Sequence, residues 1–347
     1  MAYIIAEMAW SHSGSLETAL KLIRGAKQSG ADAIGIHLTS LPDYMVPEYR
    51  SLAGTTLSDR DVSSPPTIYK YLEKISLGES DWLSVVREAR AVGIELVTMC
   101  NDEPSFEFAE RIGAADRYVI AAACFTELEF VKRVARTFKP VLLRIGGATL
   151  SEIDDVVTAI RNEGNSDITL LLGVQTYPTD IAQTFIASLP KFRSAFGCAV
   201  GLADHIDGSL PEAITLPALA LAFGATAIEK HITTAREDKL EDFEAALGIE
   251  DFAKFVAYLR TAELALGNGE IPTDSEAATR YRMVVRKRVV AARDLAPGTV
   301  LAHADVAFKR ADSGLPVEHL DRIVGKRLNG AVSQNEGLTP DMFATGQ

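Results

Sequence analysis

Through the first three-quarters of the chain, short apolar runs alternate with segments whose apolar residues recur at helical spacing. Eight runs read as strands: Tyr3–Glu7, Ala33–Leu38, Glu95–Cys100, Arg117–Ala122, Val141–Ile145, Ile168–Gly173, Ala199–Ala203 and Ala227–His231. Each is followed by helical periodicity, as in Ser15–Gln28 and Thr149–Asn162. This alternation predicts a parallel sheet with helical crossovers. Eight β/α units in about 265 residues predict a closed (β/α)8 TIM barrel, for which about 250 is typical. The longest apolar stretch, the 15 residues Ile214–Ile228, contains Pro217 and Gly224 and ends at Glu229. A membrane span needs about 20 residues, so this stretch reads as buried helix and strand, and no membrane partner is expected. Thr39–Asp81 is irregular, with Pro42, Pro47, Pro65 and Pro66 ahead of a helix near Trp82. It is expected as a long loop at the functional end of the second unit.

The pattern changes after Gly267. A polar segment with Pro272 gives way to short β-rich pieces, Arg288–Ala292, Thr299–Leu301 and Val306–Arg310, with a turn at Ala296-Pro297-Gly298. The expected division is a barrel over 1–268, a linker over 269–283 and a small β-rich domain over 284–347. At about 65 residues the small domain is marginal alone and is expected to lean on the barrel or on a partner subunit. Lys plus Arg total 35 against 47 for Asp plus Glu, a net charge of −12, which disfavours nucleic acid and anionic membranes as partners. The three cysteines, Cys100, Cys124 and Cys198, match neither a disulfide framework nor a zinc ribbon, and the N-terminal residues lack the features of a secretion signal. A reducing, cytoplasmic location is expected.

Barrel active sites are built at the carboxyl ends of the strands. The first run ends in Glu7, the seventh runs into Asp204-His205, and the eighth ends in Glu229-Lys230-His231. These strands become neighbours about 4.8 Å apart when a barrel closes. Two imidazoles and a carboxylate then converge, a ligand set suited to Mn²⁺, Zn²⁺ or Fe²⁺. Glu229 and His231, two residues apart, face the same side, so one can ligate while the other orients or moves protons. A carboxylate ending an apolar strand is costly without a partner, which makes Glu7 a site candidate. His12 and His37, taken singly, read as satisfied structural histidines.

At these residues the sequence resembles the sialic acid (nonulosonate) synthases. The matching pieces are Ile4-Ile5-Ala6-Glu7 with His12 and Gly14, Gly30-Ala31-Asp32-Ala33, Gly146 with Ala148-Thr149-Leu150, Tyr177-Pro178-Thr179, Gly201 with Asp204-His205, and Gly224-Ala225-Thr226 with Ile228-Glu229-Lys230-His231. Beyond the linker, Val290-Ala291-Ala292-Arg293-Asp294-Leu295, Pro297-Gly298, Lys309-Arg310 and Gly325-Lys326-Arg327 resemble that family's antifreeze-like (SAF) domain. The resemblance covers the whole chain. It implies condensation of phosphoenolpyruvate with an N-acyl hexosamine, assisted by a divalent metal (Mn²⁺ foremost, with Mg²⁺, Zn²⁺ and Fe²⁺ as alternatives) on His205 and His231. It also implies a homodimer in which the SAF domain caps the partner's barrel and Arg310 reaches over the site. The catalytic candidates are Glu7, Glu229 and Asp204. The substrate-binding candidates are Arg144, Gln175, Tyr177, Arg310, His37 and His12.

The departures bear on the donor. Where the resemblance implies two lysines and several hydroxyl groups for gripping phosphoenolpyruvate, this chain has Gly35, Val119, Met99, Ala122, Arg144 and Ala203. Arg144 could rebuild an anion site or pair with a carboxylate such as Glu7 or Asp102. The strand-8 loop, Arg236-Glu237-Asp238-Lys239-Leu240-Glu241-Asp242-Phe243, also departs, which implies altered substrate recognition. Three functions stay open: a synthase, a metal-dependent lyase or aldolase that does not use phosphoenolpyruvate, and a non-catalytic binding protein. Retention of Glu7, His205, Glu229, His231 and Arg310 argues against the third.

Overall fold

The computed structural model describes residues 1–49 and 68–344. Eight parallel strands pair in chain order: β1 Tyr3–Glu7, β2 Ala33–Leu38, β3 Glu95–Cys100, β4 Arg117–Ile120, β5 Val141–Arg144, β6 Ile168–Leu172, β7 Ala199–Asp204 and β8 Ala227–Thr233. Pairing of β1 with β8, from Tyr3 opposite Ala227 to Glu7 opposite His231, closes the barrel. A two-residue strand, β9 Leu247–Gly248, pairs in parallel with the last two residues of β8. Side chains alternate across each strand, and the lumen is filled by Ile5, Ala33, Val97, Met99, Val119, Leu142, Leu171, Ala203 and Ala227. The opposite parity, with Ile4, Ile34, Leu96, Leu143 and Val200, joins the apolar faces of the surrounding helices in the main core.

The helices begin where local chemistry satisfies their free N–H groups. The Ser15 side chain accepts from Thr18 N at the start of Leu16–Gln28, which buries Ala19, Leu22, Ile23 and Ala26. Thr149 and Glu152 form a reciprocal capping box at the start of Leu150–Asn162.

Thr39–Asp81 is more regular than expected. Leu41–Tyr44 and Ile68–Ile75 are helical and the next helix starts at Glu79, while residues 50–67, with Pro65 and Pro66, lie outside the described residues. Pro42 does not prevent the first turn, because the N–H it lacks is one that a helix start leaves unbonded.

The chain divides into two compact units, Met1–Gly267 and Asn268–Gln347. The second contains an antiparallel pair, β10 Arg288–Ala291 with β11 Val306–Lys309, and its own core of Val289, Ala291, Leu295, Leu301, Leu315, Ile323, Leu328, Val332, Leu338 and Phe343. The segment expected as a linker is partly helical: Glu276–Val285 starts at Ser275, whose hydroxyl accepts from Ala278 N. Among the described residues no helix is long and apolar enough to cross a membrane.

Candidate active site

The inward parity that fills the lumen with apolar residues continues, at the carboxyl ends, into polar ones. Glu7 ends β1, His37 lies on β2, Arg144 ends β5, His205 follows β7, and Glu229 and His231 lie on β8. All six are buried. Glu7 sits beside Gly35 on one flank and His231 on the other. Its Oε1 accepts from Ala9 N at 2.7 Å and lies 3.4 Å from His37 Nε2. Its Oε2 accepts from Arg144 Nη2. That same Nη2 lies 2.9 Å from Glu229 Oε1, so one guanidinium is shared by two carboxylates. Arg144 was open to two readings, an anion site or a carboxylate pair, and the structure shows the second, with Glu7 and Glu229 rather than Asp102. Asp102 instead caps the helix Glu103–Ile112 and accepts from Ser40 N at 2.8 Å.

These contacts divide the labour of the two carboxylates. Burial alone would raise Glu7, but the adjoining His37 and Arg144 hold its carboxyl well below the usual range. Glu229 is pushed up to about 7 by burial, against the pull of Arg144 and with the help of the Glu7 charge. Glu7 is therefore a fixed negative charge, and Glu229 is a group that exchanges a proton near neutrality.

Gly35 makes this arrangement possible. A Cβ there would lie 2.4 Å from Glu7 Oε2 and 2.7 Å from its Cδ. Gly35→Ala is expected to push Glu7 away from Arg144 and to cost about 1–3 kcal/mol, the usual range for overpacking. Denaturant unfolding checks it, and an unchanged midpoint would show that the carboxylate has room to move.

Beside this cluster, His205 and His231 face each other with ring centroids 5.3 Å apart. His205 Nδ1 lies 3.0 Å from Val174 O. A carbonyl can only accept, so Nδ1 carries the proton and the Nε2 lone pair is free. His205 Nε2 and both His231 nitrogens are buried without a hydrogen-bond partner. Burial drives both imidazoles toward the neutral form, His205 to about 3. Neutral imidazoles with free lone pairs are what a divalent cation requires. Among the described residues no group of three or more His, Cys, Asp or Glu is assembled to hold a metal. The two imidazoles are the residues that would hold a cation here.

Tyr177 packs against both rings, with centroids 4.4 Å from His205 and 5.5 Å from His231, and its hydroxyl donates to Gln175 Oε1 at 3.0 Å. The sequence reading missed Asp242 as a site residue. Its carboxylate lies 3.7 Å from His231 Nδ1 and is pushed up to about 8 by burial and by Glu241 and Glu7. Within the acidic run it read as part of a variable loop. The available signal was Arg236, whose Nη1 donates to the carbonyls of Phe243, Glu244 and Ala246 and whose Nη2 meets Asp207 at 3.1 Å. This clamp folds the loop over the barrel end.

Of the expected site residues, Glu7, His37, Arg144, Gln175, Tyr177, His205, Glu229 and His231 come together. The other three have partners of their own. Asp204 has the opposite parity to His205 and points out of the lumen, where Lys230 Nζ binds it at 2.6 Å, so it is not placed for catalysis. His12 packs against Trp10 and Trp82 and accepts from Gly14 N through Nδ1 at 3.1 Å. Arg310 belongs to the second unit, is exposed, and donates through Nε to Val284 O at 3.2 Å.

A closed α/β barrel with facing neutral imidazoles and a carboxylate–guanidinium cluster at its carboxyl end has the architecture of a barrel enzyme. Residues 22–271 match the NeuB family and residues 286–344 the SAF domain, and the chain belongs to the NeuB family as an enzyme of the sialic acid synthase type. It is 30% identical to a pseudaminic acid synthase of Campylobacter jejuni, over 98% of this chain and 96% of that one. It is 29% identical to an N,N'-diacetyllegionaminic acid synthase of Legionella pneumophila, over 97% and 93%. The crystal structure of an N-acetylneuraminic acid synthetase of Leptospira borgpetersenii in complex with citrate shares the fold, with a TM-score of 0.69 and 24% identity over 82% of this chain and 92% of that one.

Proposed function

We propose that this chain forms a carbon–carbon bond between a small carboxylate donor and the aldehyde of an amino sugar, giving a nonulosonate-type sugar acid; with phosphoenolpyruvate as donor water enters and inorganic phosphate leaves, and with a keto acid such as pyruvate the donor adds whole. The observation that carries this reading is the pair of buried imidazoles, His205 with a free Nε2 and His231 with neither nitrogen hydrogen-bonded, beside the fixed carboxylate Glu7. These imidazoles would hold a divalent cation, which supplies Lewis-acid polarisation of a carbonyl oxygen. Glu7, tied down by Ala9 N and Arg144, presents a rigid negative charge to sugar hydroxyls. Glu229, whose Oε1 meets Arg144, holds or releases a proton at its Oε2. Tyr177 covers His205 and keeps water from that side. Incubation with Mn²⁺, phosphoenolpyruvate or pyruvate, and N-acyl hexosamines, read by mass spectrometry, tests the proposal. A sugar acid is expected whose mass is the sum of hexosamine and pyruvate; no such product with either donor would overturn it.

The two donors are separable. Phosphoenolpyruvate carries two or three negative charges, and Arg144 is already engaged by two carboxylates. Around it the wall is Met99, Val119 and Ala203. A singly charged keto acid is therefore expected to bind more tightly than phosphoenolpyruvate, since a charged group without its own donors forgoes about 1.5–3 kcal/mol per hydrogen bond. Calorimetric titration of both acids checks the order, and tighter phosphoenolpyruvate binding would favour the plain synthase reaction.

The second unit suits a capping role toward another copy of the chain. Arg310 is exposed, and among the described residues its hydrogen bond, to Val284 O, engages a single Nε–H and leaves its guanidinium fork available for an anion. Light scattering is expected to give twice the 37.4 kDa chain mass. A strict monomer would remove this role.

A further inference from the structure

We propose that the buried Lys230–Asp204 pair is a positioning device for His205, gripping the chain on both sides of that histidine from behind the barrel wall. The proposal rests on the reading of His205 as a cation-binding imidazole. On β8, Glu229 and His231 face the lumen, so Lys230 faces the layer between strands and helices, where it is fully buried among residues such as Ile228, Ile232, Val200 and Leu202. Its Nζ reaches β7 and donates to Asp204 Oδ2 at 2.6 Å and to Ile206 O at 2.7 Å. Both acceptors are the immediate neighbours of His205.

On the other side, Thr179 N donates to His205 O at 2.8 Å, Thr179 bridges Ile206, and Val174 O holds His205 Nδ1. The three residues 204–206 are thus held from both faces, and the remaining freedom of the imidazole is the direction of its free Nε2. A buried ion pair in an apolar layer rarely stabilises a fold more than an apolar pair of similar volume would. Stability alone therefore gives Lys230 little reason to be there. A grip on the backbone that carries a functional imidazole does, because the groups that orient such an imidazole commonly control about 10–100-fold in metal affinity or activity.

The test compares the wild-type chain with the double variant Lys230→Met, Asp204→Leu and with Asp204→Asn, which keeps an acceptor oxygen for Lys230 and leaves Ile206 gripped. The double variant removes both charges together, so the fold is expected to survive, as circular dichroism and thermal unfolding would show. Its His205 is expected to lose the single Nδ1–H tautomer in ¹⁵N imidazole spectra, Thr179 N–H to exchange faster, and Mn²⁺ affinity to fall by about 10–100-fold. Asp204→Asn is expected to keep the tautomer. If the double variant does not fold, Lys230→Gln, whose shorter neutral amide reaches less far, takes its place in the same measurements. A folded variant with the wild-type tautomer, Thr179 exchange and Mn²⁺ affinity would overturn the proposal. Should the wild type bind no Mn²⁺, the cation reading of His205 fails, and the tautomer and exchange data still decide the positioning role.

Discussion

Arg144→Ala is expected to destabilise the barrel by about 3–5 kcal/mol, the range for removing one partner of a buried ion pair. Glu7 and Glu229 are each 1% exposed and share this single guanidinium. Without it, two carboxylates face each other in a dry site. The loss should depend on pH, and the sign follows from Glu229. Its folded value, already raised from 4.5 to about 7, would rise further, so folding would take up a proton. A raised carboxyl disfavours the folded state once pH exceeds the unfolded value. The variant should therefore be closer to wild type at about pH 5 than at about pH 8. Urea unfolding at the two pH values checks this, and adding Glu229→Gln to Arg144→Ala should recover part of the loss. A variant within about 1 kcal/mol of wild type at both pH values would show that the two carboxylates do not depend on Arg144.

The second large effect concerns the imidazole pair. Mn²⁺ at about 100 times its Kd should raise wild-type stability by about 2.7 kcal/mol through preferential binding to the folded chain. His205→Ala with His231→Ala is expected to abolish that gain while leaving the apo fold intact, because the substitutions break the bond from His205 Nδ1–H to Val174 O while the remaining three ring nitrogens are buried without hydrogen-bond partners. Thermal unfolding with and without Mn²⁺ reads the difference. Equal shifts in the two proteins would place the cation elsewhere.

The strands were legible because their signal is local. Runs such as Tyr3–Glu7, Ala33–Leu38 and Glu95–Cys100 match the observed strands residue for residue, since burial on both faces requires unbroken apolarity over a strand's length. Departures occur at ends and connections. β8 continues to Thr233 because β9 offers it a partner 15 residues further on, Thr233 lying opposite Gly248. The first part of the expected long loop contains a helical turn because Pro42 sits where a helix tolerates it.

The site was legible as a set of residues and not as a set of contacts. Strand-end position and two-residue parity were enough to select Glu7, His205, Glu229 and His231. The same parity, followed through His205, turns Asp204 outward, and only the reach of Lys230 across from β8 shows what holds it there. Pairing of Arg144 with Glu7 spans 137 residues of sequence and exists because closure of the barrel places β1 and β5 across one lumen. Asp242 enters through a loop whose shape Arg236 sets by binding its carbonyls. The sequence by itself determined which residues are buried and on which side of a strand they stand, because those properties follow from periodicities of two and 3.6 residues. The tertiary structure alone decided which charge meets which, because that depends on register and closure between segments far apart in the chain.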